Sequence, residues 1–200
     1  MDKPFAFSIS TPEMIPAHFD EHVQRRLSSL AGQFLDLAAY QEMLAMDDPV
    51  IYDVYQFRRP EKTGDLLFGI THLHRGKVGS EFFMTKGHFH VVLETAEIYY
   101  CLRGEGYMVM EDPAGNTSVE LLTSGTVLYV PPCWGHRAVC TGRQEDLVFY
   151  FVYPAQAGHD YARIEKQGFG KLVVEGSQGV EIVDNPHWKK IAEADQRARE

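Results

Sequence analysis

From Val50 onward the chain breaks into short β-branched and aromatic runs, each closed by turn formers, and this rhythm limits the folds open to it. Residues 50–57 make the first run. Those at 66–74, 81–85, 88–93, 97–102, 107–111, 118–122, 126–130, 136–140 and 147–153 follow at roughly ten-residue spacing. Between them stand Arg59-Pro60, Arg75-Gly76, Arg103-Gly104, Asp112-Pro113, Ser124-Gly125, Pro131-Pro132 and Thr141-Gly142, which favour turns. Short strands at such spacing predict an all-β sandwich or barrel, here a jelly roll. Residues 171–174 and 179–183 add two further candidate strands.

The flanks are different. Residues 1–19 are proline-rich and aperiodic and read as an extended arm. Residues 22–30 fit helix and strand alike. Asp36 can cap a short helix over 37–46, with Leu37, Tyr40, Met43 and Leu44 on one face, and Asp47-Asp48-Pro49 stops it. Residues 188–200 read as a polar helix or a frayed tail. With no repeat or linker, the expectation is a single domain over 1–200: arm and short helix to 47, barrel over 48–185, tail from 186.

Composition excludes some partners. The formal charge is −9 with no Lys/Arg cluster, so neither nucleic acid nor an anionic membrane is an expected partner. No apolar run approaches the ~20 residues that cross a bilayer. The N-terminus shows no secretory pattern, and three cysteines outside any C-x-x-C spacing point to a reducing cytoplasm.

Chemistry concentrates in the segment from Gly87 to Glu97. On an extended chain His88 and His90 share a face, with Cα atoms roughly 7 Å apart, so both rings can reach one ion. Imidazole with carboxylate suits borderline or hard divalent metals. Glu97 opens a strand that otherwise reads as buried, which is costly without a partner or a cation. Glu94 competes for the role; Gly104, which closes the Glu97 strand into a turn, favours Glu97. A second cluster runs from Gly125 through Pro131-Pro132-Cys133-Trp134-Gly135 to His136 and brings a third imidazole to one end of a barrel.

His-x-His…Glu-x6-Gly followed by Gly-x5-Pro-x3-Gly-His resembles the two-part signature of the cupins, β-barrels with a three-His, one-Glu metal site. The chain departs from that signature at Phe82 and Cys133, where the family has glycine, and at Cys140, where it has Asn. A narrower resemblance joins Glu81 through His90, Ala96-Glu97-Ile98-Tyr99, Pro131 through Arg137 and Tyr153 through Tyr161. These segments are similar to the cupin-type phosphoglucose isomerases, and the likeness extends from about residue 48 to 186. It implies a cupin jelly-roll barrel with short peripheral helices. It also implies a cytoplasmic homodimer that interconverts glucose 6-phosphate and fructose 6-phosphate. The cofactor implied is one divalent metal per subunit, Fe(II) first, with Mn, Ni or Zn as alternatives.

Carried over by position, His88, His90, Glu97 and His136 would hold the metal, Glu97 would also be the catalytic carboxylate, and Tyr52, Thr71, Thr85, Gly87, Tyr99, Tyr153, His159 and Tyr161 would line the sugar-phosphate pocket. Lys86 and Arg137 are further sources of positive potential. Other roles compete. Tyr99 and Tyr153 also suit an aromatic core, Thr71 a plain strand and His159 a surface loop. His72 and His74 form a second His-x-His pair, but on the face opposite Thr71. A cupin dioxygenase or a sugar-binding sensor would use the same metal ligands.

Overall fold

The computed structural model describes residues 4–188; the rest of the expected C-terminal tail lies outside the described residues. The strands are β1 (Glu21–Arg26), β2 (Val50–Phe57), β3 (Leu66–Leu73), β4 (Lys77–Val78), β5 (Glu81–Phe82), β6 (Glu97–Arg103), β7 (Glu105–Glu111), β8 (Thr117–Thr123), β9 (Val127–Val130), β10 (Gly135–Cys140), β11 (Leu147–Pro154), β12 (Lys171–Gly176) and β13 (Gly179–Asp184). Among the described residues two α-helices accompany them, α1 (Leu37–Met46) and α2 (Tyr161–Gln167).

Antiparallel pairing builds a six-stranded sheet in the order β1-β2-β3-β11-β6-β9, a three-stranded sheet β10-β7-β8 and a four-stranded sheet β13-β12-β5-β4. Tyr52, Leu73, Phe149 and Phe151 of the first sheet meet Met108, Met110, Leu122 and Ala138 of the second in one buried core. Two facing antiparallel sheets around such a core make the expected all-β jelly roll. Each of these large side chains contributes roughly 1.5–3 kcal/mol on burial, so register is set by which alternate residues point inward.

The ambiguous residues 22–30 divide. β1 pairs in register with β2, Val23 opposite Val54 and Arg25 opposite Tyr52. Leu27–Leu30 then closes as a 3-10 turn, burying both leucines. The six-stranded sheet therefore begins well before residue 48. α1 spans the residues expected, with the Asp36 carboxylate accepting from Ala39 N.

The run at 88–93 is not a regular strand. His88 bridges to His136 on one side, and Phe89 bridges to Asp160 on the other. A turn follows, because Val92 N is taken by Ala157 O and Thr95 N by Val92 O. The run at 81–85 is likewise reduced to β5, with Thr85 N donating to Ala138 O.

Candidate metal centre and cavity

Gly87 has φ +74°, which only glycine adopts freely, and a Cβ there would press into Phe169, Arg137 and the His136 carbonyl. That turn seats His88 beside β10, where His88 and His136 exchange backbone hydrogen bonds of 3.2 and 3.0 Å. The pairing brings the two rings to 4.4 Å between centroids. His90 is placed by its own Nδ1, which lies 2.8 Å from the Thr95 hydroxyl and 3.1 Å from the Thr95 carbonyl. Glu97 enters on the first residue of β6, fully inside the barrel.

The four side chains meet. One donor atom from each of His88, His90, Glu97 and His136 lies within 4.8 Å of all the others. Glu97 Oε2 is 3.2 Å from His90 Nε2 and 3.0 Å from His136 Nε2. His136 Nδ1 faces the Trp134 carbonyl at 3.4 Å. In both rings Nδ1 has a backbone carbonyl to which it can give its proton, which would free the Nε2 lone pair for an ion at the centre. The Nε2 atoms of His88 and His136 are buried without a well-formed hydrogen bond. Three imidazoles and a carboxylate converging in a dry site, with His88 Nε2 left without a partner, fit a cation. Glu94, the rival carboxylate, is exposed.

The electrostatics agree with that fit. Burial alone would raise the Glu97 carboxyl, but hydrogen bonds with His136 and His90 outweigh it and bring it to about 2. Burial and the neighbouring imidazoles hold His88 well below the ordinary histidine value. His88 is thus held neutral beside a charged carboxylate, the protonation state that binds a divalent ion.

The cluster opens into a cavity of about 290 Å³. Every residue expected in the sugar-phosphate pocket lines it: Tyr52, Thr71, Thr85, Gly87, Tyr99, Tyr153, His159 and Tyr161. Thr85 Oγ1 accepts from Ala138 N at 3.0 Å, which leaves its hydroxyl proton for the cavity. His159 packs 4.2 Å from the His88 ring, and burial lowers it to about 4. Burial likewise raises Tyr52 to about 12 and Tyr153 and Tyr99 higher still, so these phenols remain protonated donors.

Two sequence suggestions move. Lys86 does not stand free in the cavity: its ammonium is 2.6 Å from Glu165 and lies over the Tyr161 ring. Arg137 is buried behind the site, donating to the Lys86 carbonyl at 2.7 Å and covering Phe169. His72 and His74 point away, as parity requires. His72 meets the Met14 carbonyl at 3.0 Å, and His74 bridges Asp53 and Asp146.

Glu21, Arg25, Gln56 and Arg58 also line the cavity and were not anticipated. Their signal was the alternation of Glu21, Val23 and Arg25, which becomes visible only if residues 22–30 are read as a strand. α2 was also missed, although Asp160 before it and Gly168 after it bracket a helix. The Asp160 carboxylate accepts from Arg163 N, and Gly168 adopts φ +68°.

The family described as Glucose-6-phosphate isomerase (GPI) matches residues 24–189. Glucose-6-phosphate isomerase of Thermococcus onnurineus is 52% identical over 165 residues, covering 82% of this chain and 86% of that one. The same-named protein of Pyrococcus furiosus is 49% identical over 166 residues, covering 83% and 87%. Among solved structures, an uncharacterized conserved protein with a double-stranded β-helix domain from Klebsiella pneumoniae is similar at TM-score 0.41. It is 22% identical, with 53% of this chain and 79% of that chain covered.

Proposed function

This chain belongs to the glucose-6-phosphate isomerase family, and from that premise we propose that it is a metal-dependent isomerase interconverting glucose 6-phosphate and fructose 6-phosphate. The observation that carries the metal dependence is the convergence of four donor atoms within 4.8 Å at the end of a hydroxyl-lined cavity. His88, His90, Glu97 and His136 would hold one divalent ion per subunit, Fe(II) by preference, with Mn, Ni or Zn compatible with the same donors. Such an ion stabilises the negative charge that grows on O1 and O2 during aldose–ketose exchange.

The chain's own groups divide the remaining work. In an enediol route the Glu97 carboxylate accepts the proton from C2, the C1–C2 double bond forms as O1 is protonated, and the proton returns to C1 as O2 loses one. In a hydride route the C2 hydrogen passes with its electron pair to C1 as O2 gives up its proton and O1 gains one, and Glu97 would serve as ligand alone. Tyr99, Tyr153 and His159 stand at the metal end and orient the sugar. Tyr52, Thr71, Thr85, Gly87 and Tyr161 offer hydroxyl and N–H donors to the phosphate. The reaction places the protein in glycolysis and gluconeogenesis. Free cysteines support a cytoplasmic setting, and the family resemblance supports a homodimer. Among the described residues no helix is long and apolar enough to cross a membrane.

A coupled assay of the purified protein tests this. Turnover of glucose 6-phosphate should vanish on chelation and return with one of the four metals. Absence of activity with all of them ends the proposal.

A further inference from the structure

A sugar phosphate carries close to two negative charges at neutral pH, and hydroxyl donors solvate such charge without neutralising it. The cavity wall contains two guanidinium groups, Arg25 and Arg58. Arg58 is already paired, with Nη2 2.6 Å and Nε 2.8 Å from Glu21 Oε2. Arg25 has no carboxylate within ion-pair distance among the described residues, although it is half-buried. It sits on β1 directly opposite Tyr52, and it hydrogen-bonds the Tyr161 side chain. Arg25 is four strands from Glu97 in the sheet order, and Tyr161 lies between the two, its ring 5.8 Å from that of His88. One bond to Tyr161 leaves most of the five guanidinium donors unused.

We propose that Arg25 binds the substrate's phosphate and sets the preference for phosphorylated over free sugar. The inference rests on the isomerase reading for the identity of the substrate. The charge is contributed by an edge strand, whereas the metal is held by β6, β10 and the segment before β6. Arg25 and the candidate metal ligands therefore reach one cavity from different strands.

The test uses the metal-loaded protein and Arg25→Gln. The kcat/KM for glucose 6-phosphate should fall about 100-fold, chiefly through KM, the usual size for losing a charged hydrogen bond. Calorimetry with sorbitol 6-phosphate and sorbitol isolates the phosphate. Wild type should favour the phosphorylated ligand, Arg25→Gln should lose most of that preference, and Arg25→Lys should recover part of it. An unchanged preference overturns the proposal. So does an equal loss of both ligands, which would mark Arg25 as structural only. Should Arg25→Gln fail to fold, Arg25→Lys carries the test: a roughly tenfold drop in preference supports the role, and none overturns it. Wild type that binds sorbitol 6-phosphate but turns over no glucose 6-phosphate would refute the isomerase reading and leave the Arg25 comparison intact.

Discussion

Glu94 and Glu97 are three residues apart in a turn-strand junction, and burial separates their roles. Glu97 touches two imidazoles inside the barrel, whereas Glu94 faces water. Glu97→Gln keeps the shape but loses the negative charge and the basic oxygen. Turnover should fall about 10²- to 10⁴-fold with an unchanged far-UV spectrum, while Glu94→Gln stays within about twofold of wild type. Steady-state kinetics of the two variants decides it, and the opposite ranking would mean that the wrong carboxylate was chosen. The histidines were legible from their local spacing, although the segment carrying His88 and His90 is not the regular strand that alternation assumes. Arg25 was not legible, since its inward direction depends on a strand that only pairing with β2 creates. Cys133 is a third case. It stands where the cupin signature has glycine, and its φ of +69° is the left-handed conformation that glycine would relieve. The sequence showed a departure from the motif, while the backbone kept the motif's shape.

At the scale of elements, β1 is joined to the sheet by more than its ladder. On the outer face His22 Nε2 lies 2.7 Å from Asp53 Oδ1, His74 Nε2 2.9 Å from Asp53 Oδ2, and His74 Nδ1 3.0 Å from Asp146 Oδ2. This chain ties β1, β2, the end of β3 and the start of β11. Hydrogen bonding to His74 brings Asp146 to about 2, and the same bond raises His74 despite its burial. The Asp146 contribution is present above the ordinary carboxylate value near ~4 and is lost as pH falls toward 2. The His74 contribution is complete below its ordinary value near ~6.5 and is lost as pH rises through the raised one. Asp146→Asn should therefore cost most at about pH 5, on the order of 1–2 kcal/mol after allowance for partial exposure, and less at pH 9. Urea unfolding of both proteins at the two pH values measures the gap, and a gap that widens with pH would refute the assignment. α1, closed by its Asp36 cap, was readable in advance, whereas α2, capped in the same way by Asp160, was passed over. The segment after Gly87 was not readable, because its hydrogen bonds go to residues 136 and 160, which sequence proximity does not reveal.

For the whole molecule, the cluster of three histidines and Glu97 draws together both facing sheets and the segment bridging them. His90 and Glu97 come from the turn before β6 and its first residue, His136 comes from the second sheet, and His88 comes from the segment laid between them. Without a cation, the protein must keep the Nε2 atoms of His88 and His136 buried and poorly partnered, so part of the folding free energy is spent on an unsatisfied site. An ion bound only by the folded state returns that cost by mass action, about 4 kcal/mol at a thousand times its dissociation constant. For a domain of this size each kcal/mol moves the melting temperature by roughly 2–4 °C. Chelation should thus lower Tm by about 8–16 °C, and restored metal should reverse the change. Glu97→Gln should melt with a much smaller metal-dependent shift, since it removes the one negative ligand. Calorimetric scans of the chelated and reconstituted forms, with and without the substitution, test this independently of any turnover. If His88, His90, His136 and Glu97 act as one metal site, the shift collapses with that single oxygen-to-nitrogen replacement; if it persists at full size, the stabilising ion sits elsewhere.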